Sequence, residues 1–268
     1  MTAISNAFFN GLIPILASRA PSFSTAFIIS GLVLSSLIAY LLGSLNFALI
    51  LSKKMYGEDI RAFGSKNAGT TNMMRTYGKK AAILTILGDI LKGIFAVIIG
   101  SFIMGYTLGG STAGLCCVLG HVFPLFYGFR GGKGVATSAA VILVLNPIVF
   151  LIMISVFLLT VILTRYISLG SCLAAALFPF LTYYSRLAVE PEKRLPYAGI
   201  AFLCSFLMAI LVICKHHENL KRLANGKESK FSFKKSKPTD KSQAQKEEPA
   251  KYKAKKKKNN TKYTVKKK

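Results

Sequence analysis

Charge is what this sequence has least of. Only 17% of its 268 residues are Asp, Glu, Lys or Arg, just 10 of them acidic, while 52% are hydrophobic and the mean hydropathy is +0.47. A soluble globule of this length has no use for so much apolar surface. Long, nearly charge-free runs, each close to the ~20 residues that span a bilayer, recur up to Cys214 and mark a polytopic membrane protein. Cys116, Cys117, Cys172, Cys204 and Cys214 lie in or beside apolar runs without ligand spacing, so they read as free, small, buried side chains. The 26 residues before the first run contain an apolar patch, Phe8 to Ala17, but no basic residue precedes it and no cleavage site follows. That argues against a signal peptide and favours an interfacial helix or a loose extension.

Positive charge is present but unevenly placed. From Lys215 onward there are 20 Lys and Arg against 5 acids, so most of the net +25 is a tail. With almost no aliphatic residues, the tail cannot bury a core and is expected to be disordered. Anionic lipid or RNA would attract such a run electrostatically. The plainer reading is a solvated charge run that keeps its end in the cytoplasm, with no nucleic-acid partner.

Seven spans are expected, at about Thr25–Leu51, Ala81–Gly105, Gly109–Phe126, Val135–Asn146, Pro147–Thr164, Leu169–Tyr184 and Leu195–Cys214, the fourth short for a full crossing. The first loop carries Lys53, Lys54, Arg61, Lys66, Arg75, Lys79 and Lys80; the third carries Arg130 and Lys133; the fifth carries Arg165. The second and fourth connections carry none, and the sixth mixes Arg186, Lys193 and Arg194 with Glu190 and Glu192. The positive-inside rule therefore places the first loop, the third loop and the tail in the cytoplasm and the N-terminus outside.

Three polar clusters fall on that inferred face. Gly64-Ser65-Lys66-Asn67-Ala68-Gly69-Thr70-Thr71-Asn72 gathers glycines, hydroxyls and amides just after Arg61, a composition that exposes backbone N–H groups and short donors together. Gly131-Gly132-Lys133-Gly134, close behind Arg130, opens the apolar run from Val135. Glycines that let the backbone approach a ligand with its N–H groups turned inward, a Lys, and a helix N-terminus make an anion cradle. The third cluster is Lys215-His216-His217-Glu218-Asn219-Leu220-Lys221-Arg222-Leu223, with Gly226 ending a surface helical turn. Adjacent histidines point about 100° apart on a helix and nothing completes a ligand set, so no metal is expected. Within the spans, Asp89 and Lys92 form an i, i+3 pair, read either as a self-cancelling structural ion pair or as a device that arranges the first loop. A shared site that is cationic, rich in N–H donors and open to the bilayer suits a substrate with a phosphate head and a lipid chain.

These residues resemble a known family, the bacterial acyl-phosphate:glycerol-3-phosphate acyltransferases of the PlsY type. The likeness rests on Gly43-Ser44, on Asp59-Ile60-Arg61 followed by residues 64–72, on Gly120-His121-Val122-Phe123-Pro124 leading to Gly131–Thr137, and on residues 216–223 with Gly226 and Glu228. Leu45-Asn46 stands where many members have Ile-Pro, and Thr70 where Ala is usual. The resemblance implies an all-α integral membrane enzyme of seven spans in the bacterial plasma membrane, with its active site on the cytoplasmic face. It implies transfer of a fatty acyl group from acyl phosphate to the 1-hydroxyl of glycerol 3-phosphate, giving lysophosphatidic acid and phosphate, without a cofactor and in concert with an enzyme that makes acyl phosphate. Lys133, Arg61, His121, His216 and Asn219 would carry the chemistry. Ser44, Gly64, Ser65, Asn67, Gly69, Thr70, Asn72, Gly131, Gly132, Gly134, Thr137 and Glu218 would contact the substrates. The enzyme domain is expected over residues 27–230, between the extension at 1–26 and the tail at 231–268.

Acyl phosphate is already activated, so positioning and electrostatic stabilisation carry most of such a reaction. The hydroxyl proton has two routes: to a protein base, with His121 and His216 as candidates, or to the oxygens of the acyl phosphate itself. For His121 the alternative is a satisfied histidine at a span end. Other designs fail on the page. No His is followed, after four intervening residues, by the Asp of the acyl-CoA-dependent glycerophosphate enzymes: the positions hold Phe126, Lys221 and Arg222. A P-loop needs Ser or Thr after its Lys, and Gly134 stands there. A phosphate transporter would place its site near mid-membrane and show internal repeats, whereas these motifs cluster on one face. Because the tail lies outside the motifs, deleting everything after Lys230 should leave turnover of the purified protein largely intact. A well-folded truncation that loses activity would show that the tail belongs to the site.

Overall fold

A computed structural model of the chain describes residues 3–19, 24–189 and 198–231. Glu190, Glu192, Lys193 and Arg194 of the sixth loop lie outside the described residues, as does the Lys-rich tail from residue 232. The chain divides into two units, Met1–Ser229 and Lys230–Lys268, and only the first is largely described. Every regular element among the described residues is helical: α1 Ala3–Asn10, α2 Leu12–Arg19, α3 Ser24–Ser44, α4 Phe47–Leu51, α5 Thr70–Tyr77, α6 Lys79–Met104, α7 Leu108–Val122, α8 Val135–Leu145, α9 Pro147–Thr164, α10 Ile167–Val189, α11 Ala198–Lys215 and α12 His217–Ala224.

Five stretches, Ser24–Tyr56, Lys79–Met104, Leu108–Tyr127, Pro147–Thr164 and Ile167–Ser185, are long and apolar enough to cross a membrane. A sixth is gained if the pair Gly199–Lys215 and His217–Ala224, bent by 54°, counts as one. The remaining expected span, the fourth, is α8, whose 11 residues make about 16 Å, half the hydrocarbon thickness of a bilayer. The first expected span is broken. Asn46 takes an extended backbone (φ −86°, ψ 105°) and its side chain accepts from the Leu49 N–H, so α3 stops and α4 begins as a separately capped helix.

The bundle is organised around α7, two-thirds of whose apolar window is buried. Its glycines explain this. A Cβ on Gly120 would lie 2.2 Å from the Tyr40 carbonyl oxygen, and one on Gly43 would lie 2.1 Å from that of Cys117, so α3 and α7 meet backbone to backbone with no room for a side chain. Gly109 and Gly100 bring α7 and α6 together in the same way, with 2.0 and 2.5 Å to each other's carbonyl oxygens. Small residues at helix crossings are how spans associate when lipid removes the hydrophobic drive between them. Around this centre Val97, Val118, Val141, Val149, Phe178 and Met208 draw α6 to α11 into one apolar core. Outward, Ile148, Leu151, Leu159, Ile162 and Leu163 of α9 are each at least 60% exposed, a surface that only lipid would solvate favourably.

The N-terminal residues are folded rather than loose. Phe8 packs its ring on Phe102 and Tyr106, and the Phe9 carbonyl accepts from the Tyr106 N–H at 3.2 Å. Gly11, with φ +81°, passes so close to the α6–α7 turn that a Cβ would lie 2.4 Å from the Gly105 nitrogen. α1 and α2 thus cover the end of the bundle opposite the polar clusters. Gly120→Ala should lower stability by about 3 kcal/mol, the upper end for overpacking, because the carbonyl it meets is backbone and cannot yield. Thermal unfolding in detergent measures this. Gly199→Ala, whose Cβ meets nothing within 4 Å, serves as the neutral comparison.

Candidate active site

The first loop folds around Asn72, which is 1% exposed. Its Oδ1 accepts from the Ser65 N–H at 2.9 Å, and its Nδ2 donates to the carbonyls of Ile60, Phe63 and Asn67 at 3.0–3.2 Å. Gly64 has φ +55°, and a Cβ there would lie 2.2 Å from Asn72 Oδ1. Asn72 and Gly64, expected to contact substrate, therefore spend themselves on the shape of the loop. What the loop presents is the start of α5: Gly69 as a main-chain cap, Thr70, the half-buried Asn67 and the exposed Ser65. The first N–H groups of a helix have no intrahelical acceptor, so this end attracts anions.

Arg61 joins this loop to the next. Its guanidinium meets the Asp59 carboxylate at 2.8–3.3 Å, and Nη1 donates to the carbonyls of Tyr127 and Arg130 at 2.8 and 3.0 Å. The same guanidinium holds the Asp59 carboxyl below its ordinary pKa. Four of its five donors are thus engaged, and Arg61 serves here as a clamp between two loops. Ser44 is likewise occupied: its hydroxyl donates to the Tyr40 carbonyl at 2.9 Å and accepts from the Leu125 N–H at 3.3 Å.

The glycine cradle differs from its expected form. The N–H groups of Gly131 and Gly132 point not at a ligand but at the carbonyls of Val122 and His121, both at 3.1 Å. The last carbonyls of a helix need donors, and α7 ends here in apolar surroundings. A Cβ on Gly131 would lie 2.0 Å from the His121 carbonyl oxygen, and one on Gly132 would lie 2.2 Å from the His121 ring nitrogen Nε2 and 2.7 Å from the Ala68 carbonyl. These glycines are needed for close approach to α7 and to the first loop. Gly134, with φ +81°, then turns the chain into α8, whose first turn has no side-chain cap. In that turn the hydroxyls of Thr137 and Ser138 are buried without a hydrogen-bond partner. The free donors lie at the start of α8, one step further along than the glycines themselves.

Lys133 projects from this turn to the third cluster. Its ammonium donates to Asn219 Oδ1; Asn219 Nδ2 donates to Glu228 at 2.6 Å; and Glu228 also accepts from Ser168 at 2.9 Å and Arg222 at 2.8 Å. Burial pulls the Lys133 pKa down to about 8, with Glu228 opposing the shift and Arg222 reinforcing it. Burial of Glu228 is outweighed by its three donors, and its carboxyl titrates below its ordinary value. His216 is 3% exposed, and burial, aided by the Lys133 charge, lowers its pKa to about 4. It lies 2.7 Å from the Val212 carbonyl through Nδ1, so that nitrogen carries the proton and Nε2 carries a free lone pair. Glu218 stands apart: it is 62% exposed and pairs with His217 on the surface, while Glu228 supplies the carboxylate at the site. Glu228 and Ser168 were not among the expected contacts. The Asn225-Gly226 turn, with φ +65° at Gly226, is the signal that the chain doubles back there.

Three loops separated by tens of residues thus close on one end of the helices: Ala68 on Gly132, Arg61 on Tyr127 and Arg130, Lys133 on Asn219. Fold and site together define a polytopic helical membrane protein with a cationic, donor-rich cluster at one end of its helices, of a chemistry suited to a phosphate. Comparison with known proteins gives the family. The model of the glycerol-3-phosphate acyltransferases matches residues 33–226. A glycerol-3-phosphate acyltransferase of Clostridioides difficile is 41% identical over 208 residues, 76% of this chain and 97% of its own length; one of Finegoldia magna is 39% identical over 75% and 96%. Crystal structures of PlsY (YgiH), an integral membrane glycerol 3-phosphate acyltransferase, match with TM-scores of 0.65 for the glycerol 3-phosphate form and 0.62 for the lysophosphatidic acid form. Their identities to this chain are 34% and 33%, over 75% of it and 96% and 95% of theirs. The chain belongs to the glycerol-3-phosphate acyltransferase family.

A Lys with a pKa of about 8 is cationic at pH 7 and loses its charge as pH rises through that value. Affinity of the ligand-free protein for inorganic phosphate should therefore fall above about pH 8. Titration calorimetry across pH 6.5–9.5 checks this, and Lys133→Arg should move the fall out of the range.

Proposed function

We propose that this protein transfers a fatty acyl group from acyl phosphate to the 1-hydroxyl of sn-glycerol 3-phosphate, giving lysophosphatidic acid and phosphate, the first acylation in phospholipid synthesis. The observation that supports it best is Lys133, a half-buried ammonium at the uncapped start of α8, linked through Asn219 to Glu228. In the reaction the acyl carbon exchanges its bond to a phosphate oxygen for one to the glycerol oxygen, and the hydroxyl proton leaves with phosphate in the overall balance. The leaving group is good, so the protein's task is to hold two anions together and stabilise the charge that gathers on the tetrahedral oxygen and the departing phosphate.

Lys133, the first turn of α8 and the first turn of α5 supply that stabilisation. His216 is a poor base: with a pKa of about 4, only about one molecule in a thousand would hold the proton at pH 7. Its free Nε2 suits it to accept a hydrogen bond from the hydroxyl and aim it, while the substrate's own phosphate oxygens take the proton. Arg61 and Asn72 act by holding the walls. On this proposal the site lies on the cytoplasmic face of a bacterial plasma membrane, with seven crossings, the N-terminus outside and an enzyme producing acyl phosphate supplying the donor; the excess of Lys and Arg in the first and third loops supports that orientation.

Purified protein given acyl phosphate and labelled glycerol 3-phosphate should form lysophosphatidic acid, and acyl-CoA in a parallel reaction should not replace the donor. Product with acyl-CoA alone, or none with either, overturns the proposal. Lys133→Ala should cost on the order of 10²–10³ in turnover, the loss typical of one electrostatic donor, while the protein stays folded in detergent.

A further inference from the structure

Asp89 and Lys92 form a charged cluster inside the helix bundle with His121, one of the two histidines that are candidate bases. The side chains of Asp89 and Lys92 are each 2% exposed and that of His121 is 5% exposed. The Lys92 ammonium has four neighbours: Asp89 Oδ1 at 2.9 Å, His121 Nδ1 at 2.8 Å, and the carbonyl oxygens of Gly43 and Leu45 at 3.1 and 2.9 Å. An ammonium has three protons and no lone pair: the three go to the two carbonyls and to His121 Nδ1, each of which faces it as an acceptor, while Asp89 Oδ1 balances its charge as an ion pair. His121 Nδ1 therefore carries no proton. The one competing partner is Asp89 Oδ1 at 3.4 Å from Nδ1, beyond the usual N–H···O range, against 2.8 Å to the ammonium. The neutral ring then holds its proton on Nε2. That nitrogen makes no hydrogen bond among the described residues and lies against Gly132, where a Cβ would approach it to 2.2 Å.

We infer that Lys92, neutralised by Asp89, is a positioning residue that fixes His121 as an Nε2–H donor directed into the glycine cradle, and so excludes it as the general base. The inference rests on the acyl-transfer reading for what the donor stabilises: negative charge gathering on the acyl oxygen or the leaving phosphate. A neutral imidazole suits this task, because it offers an N–H without surrendering the proton. The glycine at 132 gains a reason as well. Any side chain there would stand between the N–H and its ligand. The carbonyls of Gly43 and Leu45 tie the relay to the end of α3, so the donor is aimed by three helices at once.

Two measurements test this, one independent of activity. The chain has three histidines, so ring-labelled 15N NMR of the resting protein can resolve His121. It should show the neutral Nε2–H form at pH 7, and Lys92→Met should abolish that preference. An Nδ1–H or doubly protonated His121 in the wild type overturns the inference whatever the enzyme does. In kinetics, His121→Gln keeps an N–H near the place of Nε2 but cannot act as a base, so it should stay within about tenfold of wild type. His121→Ala should fall a hundredfold or more, in kcat rather than KM. Equal losses in the two folded variants would overturn the donor assignment. Failure of the wild type to use acyl phosphate would instead strike the acyl-transfer reading, leaving the NMR result to stand.

Discussion

The carboxyl end of α7 is the constraint from which the site follows. A helix that ends in dry surroundings leaves carbonyls that must find donors, and the chain supplies them by doubling back so that Gly131 and Gly132 donate to Val122 and His121. Only glycine fits where the returning strand touches the helix. The return sets Lys133 against Asn219 of the third cluster and turns the chain into the next helix, whose first turn has no side-chain cap. Without that hydrogen-bonded reversal there would be no anion-binding helix start, and His121 would have nothing to point at.

Around it, the buried polar residues divide into those that hold and those that face the ligand. Asn72, Asn46, Ser44 and Arg61 use their hydrogen-bonding groups on backbone or on Asp59: Asn72 shapes its own loop, and the other three each link segments that are distant in sequence. Asn46 shows the principle at its smallest: its oxygen caps α4 while its amide reaches the Ala68 carbonyl of the first loop at 3.3 Å. Lys133, Thr137, Asn219 and His216 are the groups left with capacity for a ligand. In a low-dielectric setting such unspent donors and lone pairs are costly unless a ligand takes them up.

Much of this was legible in the sequence. Span positions follow from apolar run length: five stretches long and apolar enough to cross a membrane, a sixth bent one and the short α8 stand at the expected places among the described residues. The three clusters were readable because Gly, Asn, Ser and Lys between apolar runs are conspicuous. What the sequence hid was the direction of each group. Glycine-rich composition says that backbone comes close to something, but not to what, so the partner of Gly131 and Gly132 proved to be α7. Arg61 reads as a phosphate ligand until its two carbonyl partners, more than sixty residues away, are known. Glu218 and Glu228 are ten residues apart and chemically identical, and only the turn at Gly226 decides which faces Lys133. Asp89 and Lys92 were visible as a pair, whereas the third member, His121, joins them through packing alone.

The backbone contacts of α7 also set where this chain can drift. At Gly43, Gly100, Gly109 and Gly120 even one carbon is too many, so these crossings act as fixed points of the molecule. α9 is the reverse: its outward residues touch only hydrocarbon, a solvent that scarcely distinguishes Leu from Ile, Val or Phe. Mutational tolerance should therefore be graded radially, nil at the axis and broad at the rim, and a span is best recognised by its small residues rather than by its greasy ones.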